Sequence, residues 1–388
     1  MHQGKLVFAQ VMQHLPLSMF SRCVARHGGV RRRGSFSCLD QFYCMAFAQL
    51  AYRESLRDIE ACLRAQGSKC YHMGIRSTVS RSTLAEANES LPWEVHADIA
   101  EHLIVIARAL YSGDPLDVEL SETVYALDSS IIDLCLSVFP WARYRDTDSA
   151  IKLHTLLDLR GSIPAVIHVS DGKMSDVSVL DRLVLEPGAI YVMDRAYLDA
   201  GRLFHFHEAG SFFVTRPRAN TQLKRRYSLK VDRATGLISD QIVQFAGQNT
   251  ARHYPAPIRK IRFRDLSSGE TLVFLTNSMA LEAITVADLY RCRWKVELFF
   301  KWIKQHLRIK AFFGTSENAV KSQIWIAIST YVLVAILRKR LQLDASLHQV
   351  LQILSLTLFE KTPINQLFLD ARGHEPERGP SNQLILFD

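Results

Sequence analysis

Two short apolar runs, each followed by an aspartate, constrain the fold of this chain more than any other feature. Residues 124–127 read VYAL and precede Asp128, and residues 190–193 read IYVM and precede Asp194. Short apolar runs rich in β-branched and aromatic residues predict buried strands. Open α/β sheets bind ligands at the carboxyl ends of such strands, so two acids there predict a functional edge. A single aspartate in that position more often caps a turn.

The segments around these runs predict a mixed sheet. Residues 152–170 read as two strands joined by a turn at Arg160 and Gly161, and residues 211–217 read as a further strand. A helix is expected over 175–185, between the hairpin and the second acidic run. This order of elements indicates an α/β core in which an antiparallel hairpin lies beside parallel strands.

Composition divides the chain into five predicted segments. A helical part is followed by the first part of the α/β core, a basic β insertion, the second part of the core with C-terminal helices, and a loose tail. These segments are expected at residues 1–118, 119–217, 218–282, 283–360 and 361–388.

Two neighbouring helices are predicted in the first segment. Apolar spacing predicts one over 53–65, and the small polar stretch 77–89 predicts another, capped by Ser77 or Thr78. The outline fits a DNA-reading helix-turn-helix and equally an ordinary helical hairpin. Under the first interpretation, Arg81 is the candidate for base contact.

Composition also limits the class of protein. Seven scattered cysteines include no CxxC pair, which argues against a zinc site or disulfide framework and favours a reducing cytosol. No signal peptide is expected. The net charge of +8 favours a polyanion as partner, either nucleic acid or an anionic membrane surface. The most apolar stretch, 324–337, is shorter than the ~20 residues of a membrane span, so it predicts a buried core helix.

A single acid lies inside a basic segment in the second half of the chain. Between residues 289 and 316 the only carboxylate is Glu297, among seven arginines and lysines. On a helix, Tyr290, Arg293, Glu297 and Lys304 fall within an arc of ~60° beside an apolar face. An ion network between Glu297 and its basic neighbours is the ordinary explanation of such a pattern.

Three carboxylates at one sheet edge would instead predict a metal site. Asp128, Asp194 and Glu297 would repel one another, and at least one would hold a proton unless cations intervened. Mg²⁺ prefers carboxylate oxygen, and two such ions can activate a water or a 3′-hydroxyl against a phosphodiester. The predicted cofactor is therefore two Mg²⁺ per site, with Mn²⁺ as a substitute. The surrounding bases would hold phosphates.

The spacing Tyr, two residues, Arg, three residues, Glu, six residues, Lys is met by Tyr290, Arg293, Glu297 and Lys304. With both aspartates and segments such as YVMDRAYLD, the chain resembles the DDE transposases of bacterial insertion sequences, specifically the insertion-sequence-four family. The resemblance runs over essentially the whole chain. Two other functions stay open, a nuclease that cleaves without joining and a transposase-derived DNA-binding repressor.

The resemblance implies an RNase H-like α/β core, interrupted by a β insertion, with Asp128, Asp194 and Glu297 as catalytic metal ligands. It implies an all-α N-terminal domain that binds terminal inverted repeats, and a homodimer on DNA that cleaves element ends and joins 3′ ends to target DNA. The location would be the bacterial cytoplasm, at the nucleoid, with no membrane partner. The residues expected at the DNA are Tyr290, Arg293, Lys304, Arg195, Tyr197 and Lys301.

The insertion and the tail each raise one further expectation. Some relatives flip a base against a tryptophan in the insertion; none lies there in this chain, and Phe245, His253 or Tyr254 are the candidates to replace it. The tail ends in QLILF, which resembles the peptide by which bacterial proteins bind the replication sliding clamp. Docking on the protein's own core or on a dimer partner is the alternative. The clamp contacts would be Gln383, Leu384, Leu386 and Phe387.

Overall fold

The computed structural model describes residues 4–29, 36–144, 148–306 and 312–372. A nine-stranded mixed sheet lies at the centre of the chain, between N-terminal and C-terminal helices. The fold class is therefore as predicted, while the five segment boundaries stay predictions. The tail peptide for which clamp binding is predicted, residues 383–387, lies outside the described residues.

Seven helices precede the sheet in the described part of the chain. They are α1 (Val7–Met12), α2 (Leu17–Arg26), α3 (Cys38–Leu50), α4 (Leu56–Ala65), α5 (Gly67–Met73), α6 (Arg81–Ser90) and α7 (Glu94–Tyr111). The helix predicted over 77–89 begins later than expected. Its cap is Ser80, whose hydroxyl accepts a hydrogen bond from the Thr83 amide at 3.1 Å, rather than Ser77 or Thr78.

The sheet contains the strands that the sequence predicts, in an order that its local patterns do not reveal. The strands are β1 (Val124–Leu134), β2 (Ser149–Asp158), β3 (Ile163–Asp171), β4 (Ile190–Met193), β5 (Phe212–Thr215), β6 (Leu223–Leu229), β7 (Leu237–Phe245), β8 (Ile258–Arg264) and β9 (Thr271–Thr276). Their spatial order is β3-β2-β1-β4-β5-β9-β8-β7-β6. The insertion strands β6 to β9 therefore extend the core sheet, because β9 pairs with β5.

One local expectation in the core is refined and another is wrong. The run 175–185 is helical as expected, but as a 3-10 helix over Asp176–Arg182. Asp128 does not end its strand, since β1 continues to Leu134 beside β2. What ends before Asp128 is the parallel pairing of β1 with β4, whose last pair is Leu127 with Met193.

The remaining helices are α8 (Ala200–Glu208), α9 (Gln248–His253), α10 (Ala283–Cys292), α11 (Trp294–His306), α12 (Glu317–Arg340), α13 (Leu347–Thr357) and α14 (Ile364–Arg372). The predicted helix 289–307 is thus interrupted at Arg293, between α10 and α11. Helix α12 is long and apolar enough to cross a membrane, but 94% of its most apolar window is buried inside the protein. It packs against α3, α6 and α7, as a core helix does.

The N-terminal helices share one apolar core with α12 and with one face of the sheet. Phe8, Phe42 and Leu103 belong to the same buried cluster as Ile328 of α12 and Val192 of β4. Burial of this kind contributes about 25 cal/mol per Å² of apolar surface. A fragment ending near residue 118 would therefore expose the surface that α12 covers.

A buried ion pair joins two strands of the insertion to the segment just before α10. The Arg259 guanidinium of β8 donates to Asp240 of β7 at 2.6 Å, and it also donates to the carbonyl of Leu281, just before α10. The two side chains are 7% and 3% exposed. Removing one partner would leave an uncompensated buried charge.

Asp240→Ala is expected to lower the free energy of unfolding by ~3–5 kcal/mol, because Arg259 is left buried without its carboxylate. Denaturant unfolding followed by circular dichroism measures the loss. The double change Asp240→Leu with Arg259→Met serves as the control, and it should recover most of the stability. A loss below ~1 kcal/mol in the single variant would contradict the assignment.

Candidate active site

The three predicted carboxylates come from elements that meet at one place on the sheet. Strands β1 and β4 run parallel and stop pairing after Leu127 and Met193. Asp128 and Asp194 follow these residues, so they leave neighbouring strands side by side. Glu297 lies in the first turn of α11, and α11 packs against β1.

One arginine joins two of these carboxylates. Arg293 donates from Nη1 to Asp128 Oδ2 at 3.0 Å and from Nη2 to Glu297 Oε1 at 2.6 Å. The Tyr290 hydroxyl donates to Asp194 Oδ1 at 3.2 Å. Two of the four residues that meet the Tyr-Arg-Glu-Lys spacing, Tyr290 and Arg293, therefore hydrogen-bond to the carboxylates directly. Arg293 is only 16% exposed, and its Nε is buried without a hydrogen-bond partner.

Asp128 carries the clearest electrostatic signature of crowding. Burial raises its pKa from 3.8 to about 6, against the lowering effects of the Ser129 amide and of Arg293. The nearby Glu297 and Asp194 carboxylates raise the pKa further. Burial is therefore the main cause of the raised pKa, and a strongly perturbed acid of this kind marks candidate functional sites.

The donor chemistry of this cluster suits a hard divalent cation once the arginine withdraws. Within the described ranges, no three Asp, Glu, His or Cys side chains stand together ready to hold a metal. Arg293 bridges two of the acids instead. Carboxylate oxygens are the ligands that Mg²⁺ prefers. The fit is chemical and requires Arg293 to exchange partners.

Several of the predicted DNA-contacting residues surround the carboxylates. Lys304 donates from Nζ to the carbonyl of Ile131 on β1 at 2.6 Å, and Lys301 is exposed on the same helix. Arg195 follows Asp194 and is exposed. Its carbonyl accepts a hydrogen bond from Arg218 of the insertion at 3.1 Å. The insertion therefore braces the loop that follows the second aspartate.

Two other predicted contacts are placed elsewhere. Tyr197 is 1% exposed within the core, so its side chain is not at a DNA-facing surface. Burial raises the pKa of its hydroxyl, as do the nearby Asp128 and Asp176 carboxylates. Arg81 is exposed in the first turn of α6, a helix that packs against α3, α4 and α12 and not among the carboxylates.

The expected replacement for an insertion tryptophan is also largely corrected. Phe245 and Tyr254 are 4% and 1% exposed, because both pack in the smaller apolar cluster beneath the insertion. His253 is exposed and lines a cavity of about 430 Å³ with Arg218 and Gln222. Of the three candidates, only His253 could meet a ligand in this arrangement.

Three residues next to Asp128 escaped sequence reasoning. Ser129, Lys152 and Asp176 form a polar cluster on the opposite face of β1. The available signal was a lysine inside a predicted core strand, since lysine is almost never fully buried unless it is paired, and β2 is buried along its whole length. Lys152 is 6% exposed.

Residues 119–333 match the family model described as "Transposase DDE domain", and residues 3–76 match a domain of unknown function. The chain belongs to the DDE transposase family. The matched region contains Asp128, Asp194 and Glu297, together with Tyr290, Arg293 and Lys304. The resemblance drawn from the sequence is thereby confirmed.

Relatives of this DDE transposase chain carry similar descriptions. It is 32% identical over 228 residues to a putative transposase of Sinorhizobium fredii, covering 58% of this chain and 64% of that one. It is 30% identical over 259 residues to a probable transposase for insertion sequence element IS5377 of Geobacillus stearothermophilus, covering 65% and 66%. The chain thus spans slightly under two thirds of the length of these relatives.

Among solved structures, the chain is similar to one described as a piggyBac transposase synaptic complex with hairpin DNA. The similarity covers 95% of this chain and 80% of that one, with a TM-score of 0.45 and 11% sequence identity.

The raised pKa of Asp128 predicts a stability cost. Its folded-state pKa of about 6 lies above the unfolded value of 3.8, so the ionised carboxylate destabilises the fold above pH 6. The penalty disappears as the pH falls below 3.8. Asp128→Asn is therefore expected to stabilise the protein by up to ~3 kcal/mol at pH 7.5, with a gain that shrinks toward pH 4.

Thermal unfolding of both proteins at pH 7.5 and pH 4 measures this difference. Asp133→Asn changes an exposed acid on the same strand and serves as the matched control, with no comparable gain expected. An Asp128→Asn variant that is less stable than the wild type at pH 7.5 would show that the ionised Asp128 carboxylate does not destabilise the fold.

Proposed function

We propose that this chain is the transposase of a bacterial insertion sequence. It would bind the terminal inverted repeats, cleave phosphodiester bonds at the element ends and join the 3′ ends to target DNA. The observation that carries the proposal is the meeting of Asp128 and Glu297 on Arg293, with Asp194 held beside them by Tyr290. Family membership and the net charge of +8 add support.

Asp128, Asp194 and Glu297 would hold two Mg²⁺ ions, or Mn²⁺ as a substitute. When bound, these ions activate a water or 3′-hydroxyl and stabilise the leaving oxygen. The protein's own contribution is to gather three carboxylates and to keep a cation among them beforehand. Arg293 does so by its bonds to two of the acids.

Arg293 would then exchange its carboxylate partners for a DNA phosphate. A guanidinium binds either group through paired N–H donors, so the exchange conserves its hydrogen bonds. Metal binding and DNA binding would assist each other, because each removes the reason for Arg293 to stay between the acids. Tyr290, Lys304, Lys301 and Arg195 would hold neighbouring phosphates.

Recognition of the element ends is assigned to the N-terminal helices. The exposed N-terminus of α6 with Arg81 is one candidate surface. Because these helices share a core with α12, footprinting should use the full chain. Two copies bridging two ends would form a homodimer on DNA, in the bacterial cytoplasm at the nucleoid.

Asp128→Asn, Asp194→Asn and Glu297→Gln are each expected to abolish cleavage of a duplex carrying an element end, by at least ~10³-fold, because the metal ligands are lost. DNA binding should persist within a few-fold. A labelled-strand assay in Mg²⁺ and in Mn²⁺ measures cleavage, and joining to plasmid DNA is scored in the same reaction.

Asp133→Asn is the matched control and should cleave as the wild type does, because it changes an exposed acid on the strand of Asp128. Full nicking by any of the three variants would remove that residue from the catalytic set. Cleavage by the wild type without joining would favour the nuclease, and sequence-specific binding without cleavage would favour the repressor.

Lys304→Ala should weaken the DNA complex and reduce the slope of log affinity against log salt by about 0.9, the value for one phosphate contact. Fluorescence anisotropy at four salt concentrations measures the slope. Lys361→Ala, a change at an exposed lysine after α13, is the control and should leave the slope unchanged. An altered sequence preference with an unchanged slope would argue for a base contact instead.

A further inference from the structure

Strand β1 becomes an edge strand at the point where it presents Asp128. Up to Leu127 the strand is paired on both sides, with β2 and with β4. From Asp128 to Leu134 the named strands pair with it only through β2. Strand β2 is itself paired with β3 over residues 151–155, so β1 is here the edge strand of a three-stranded part of the sheet. An edge strand is hydrogen-bonded on one side only, so contacts outside the ladder contribute to the position of the backbone that carries this carboxylate.

The residue after Asp128 supplies such a link. The Ser129 amide donates to Asp128 Oδ1 at 2.8 Å, which orients the carboxylate directly. The Ser129 hydroxyl points to the opposite face and donates to Asp176 Oδ1 at 2.5 Å. Asp176 opens the 3-10 helix Asp176–Arg182, so the bond ties β1 to a separate segment of the chain.

A buried lysine holds that segment in place. Lys152 of β2 contacts Asp176 Oδ1 at 3.2 Å and donates to the carbonyl of Met174 at 3.0 Å. The lysine side chain is 8% exposed and that of Asp176 is 31% exposed. A paired, largely desolvated ammonium of this kind restrains both of its partners more strongly than a surface pair would.

We infer that Ser129, Asp176 and Lys152 form a positioning unit that holds Asp128 in place for the metal. The inference rests on the proposed function and deepens it. None of the three touches the reacting atoms; they act through the β1 backbone and the Ser129 amide. Groups that orient a metal ligand from behind typically contribute 10–100-fold to metal affinity or activity.

The decisive change is Ser129→Ala, which removes the hydroxyl and keeps the amide that bonds to Asp128. In the full chain bound to duplex DNA, the Mn²⁺ dissociation constant, measured by electron paramagnetic resonance, is expected to rise by at least ~10-fold. Single-turnover cleavage should fall by a similar factor. DNA affinity should stay within two-fold and the melting temperature within a few degrees.

Ser129→Thr and Ser170→Ala are the matched comparisons. Threonine keeps the hydroxyl and suits a strand, so it should restore most of the Mn²⁺ affinity. Ser170 lies on the neighbouring strand β3, and its hydroxyl is hydrogen-bonded to His154 Nε2 at 3.1 Å, outside the unit of Ser129, Asp176 and Lys152. Its replacement by alanine should leave the Mn²⁺ affinity unchanged.

Hydrogen exchange supplies a second readout that does not depend on metal or catalysis. The amides of residues 128–131 should exchange at least ~10-fold faster in Ser129→Ala than in the wild type or in Ser170→Ala, because the edge strand loses its hydrogen bond to Asp176. Unchanged exchange in Ser129→Ala would overturn the inference. An equal loss of Mn²⁺ affinity in Ser129→Ala and Ser129→Thr would also overturn it. If the wild type bound no Mn²⁺ but exchange changed as expected, the proposed function would be contradicted. The structural link from Ser129 to Asp176 and Lys152 would still be supported.

Discussion

The burial of Asp128 beside two other carboxylates is the constraint on which the site depends. Burial and the two neighbouring acids raise the pKa of Asp128 to about 6, even with Arg293 at 3.0 Å. Such a group of acids is stable only with a cation among them. In this arrangement the cation is a guanidinium from the protein, and under the proposed function metal ions would take its place as the arginine turns to a phosphate.

The pairing of two strands and a break between two helices bring the three acids together. Parallel pairing of β1 with β4 ends at the pair Leu127 and Met193, so the two aspartates that follow lie side by side. The interruption at Arg293 separates α10 from α11, so that this arginine faces both Asp128 and Glu297. The buried helix α12 lies in the apolar core beneath, where it joins the N-terminal helices to the sheet.

Sequence reasoning reached the parts of this arrangement that are local. Apolar runs predicted β1, β4 and β5, and the signature spacing identified Tyr290 and Arg293 beside Glu297. It failed where partners are distant in sequence. Nothing in the run after Leu127 shows that β2 alone continues beside β1, and Tyr197 looks like a surface residue until the core around it is known. The tie from Ser129 to Asp176 spans 47 residues and has no local pattern.

A crystal structure of the full chain with duplex DNA and Mn²⁺ tests the central claim most directly, through the anomalous scattering of manganese. The account predicts anomalous density in contact with Asp128, Asp194 and Glu297, and Arg293 bonded to a phosphate. Manganese bound elsewhere, or Arg293 still bonded to Asp128 and Glu297 in the presence of both ligands, would contradict it.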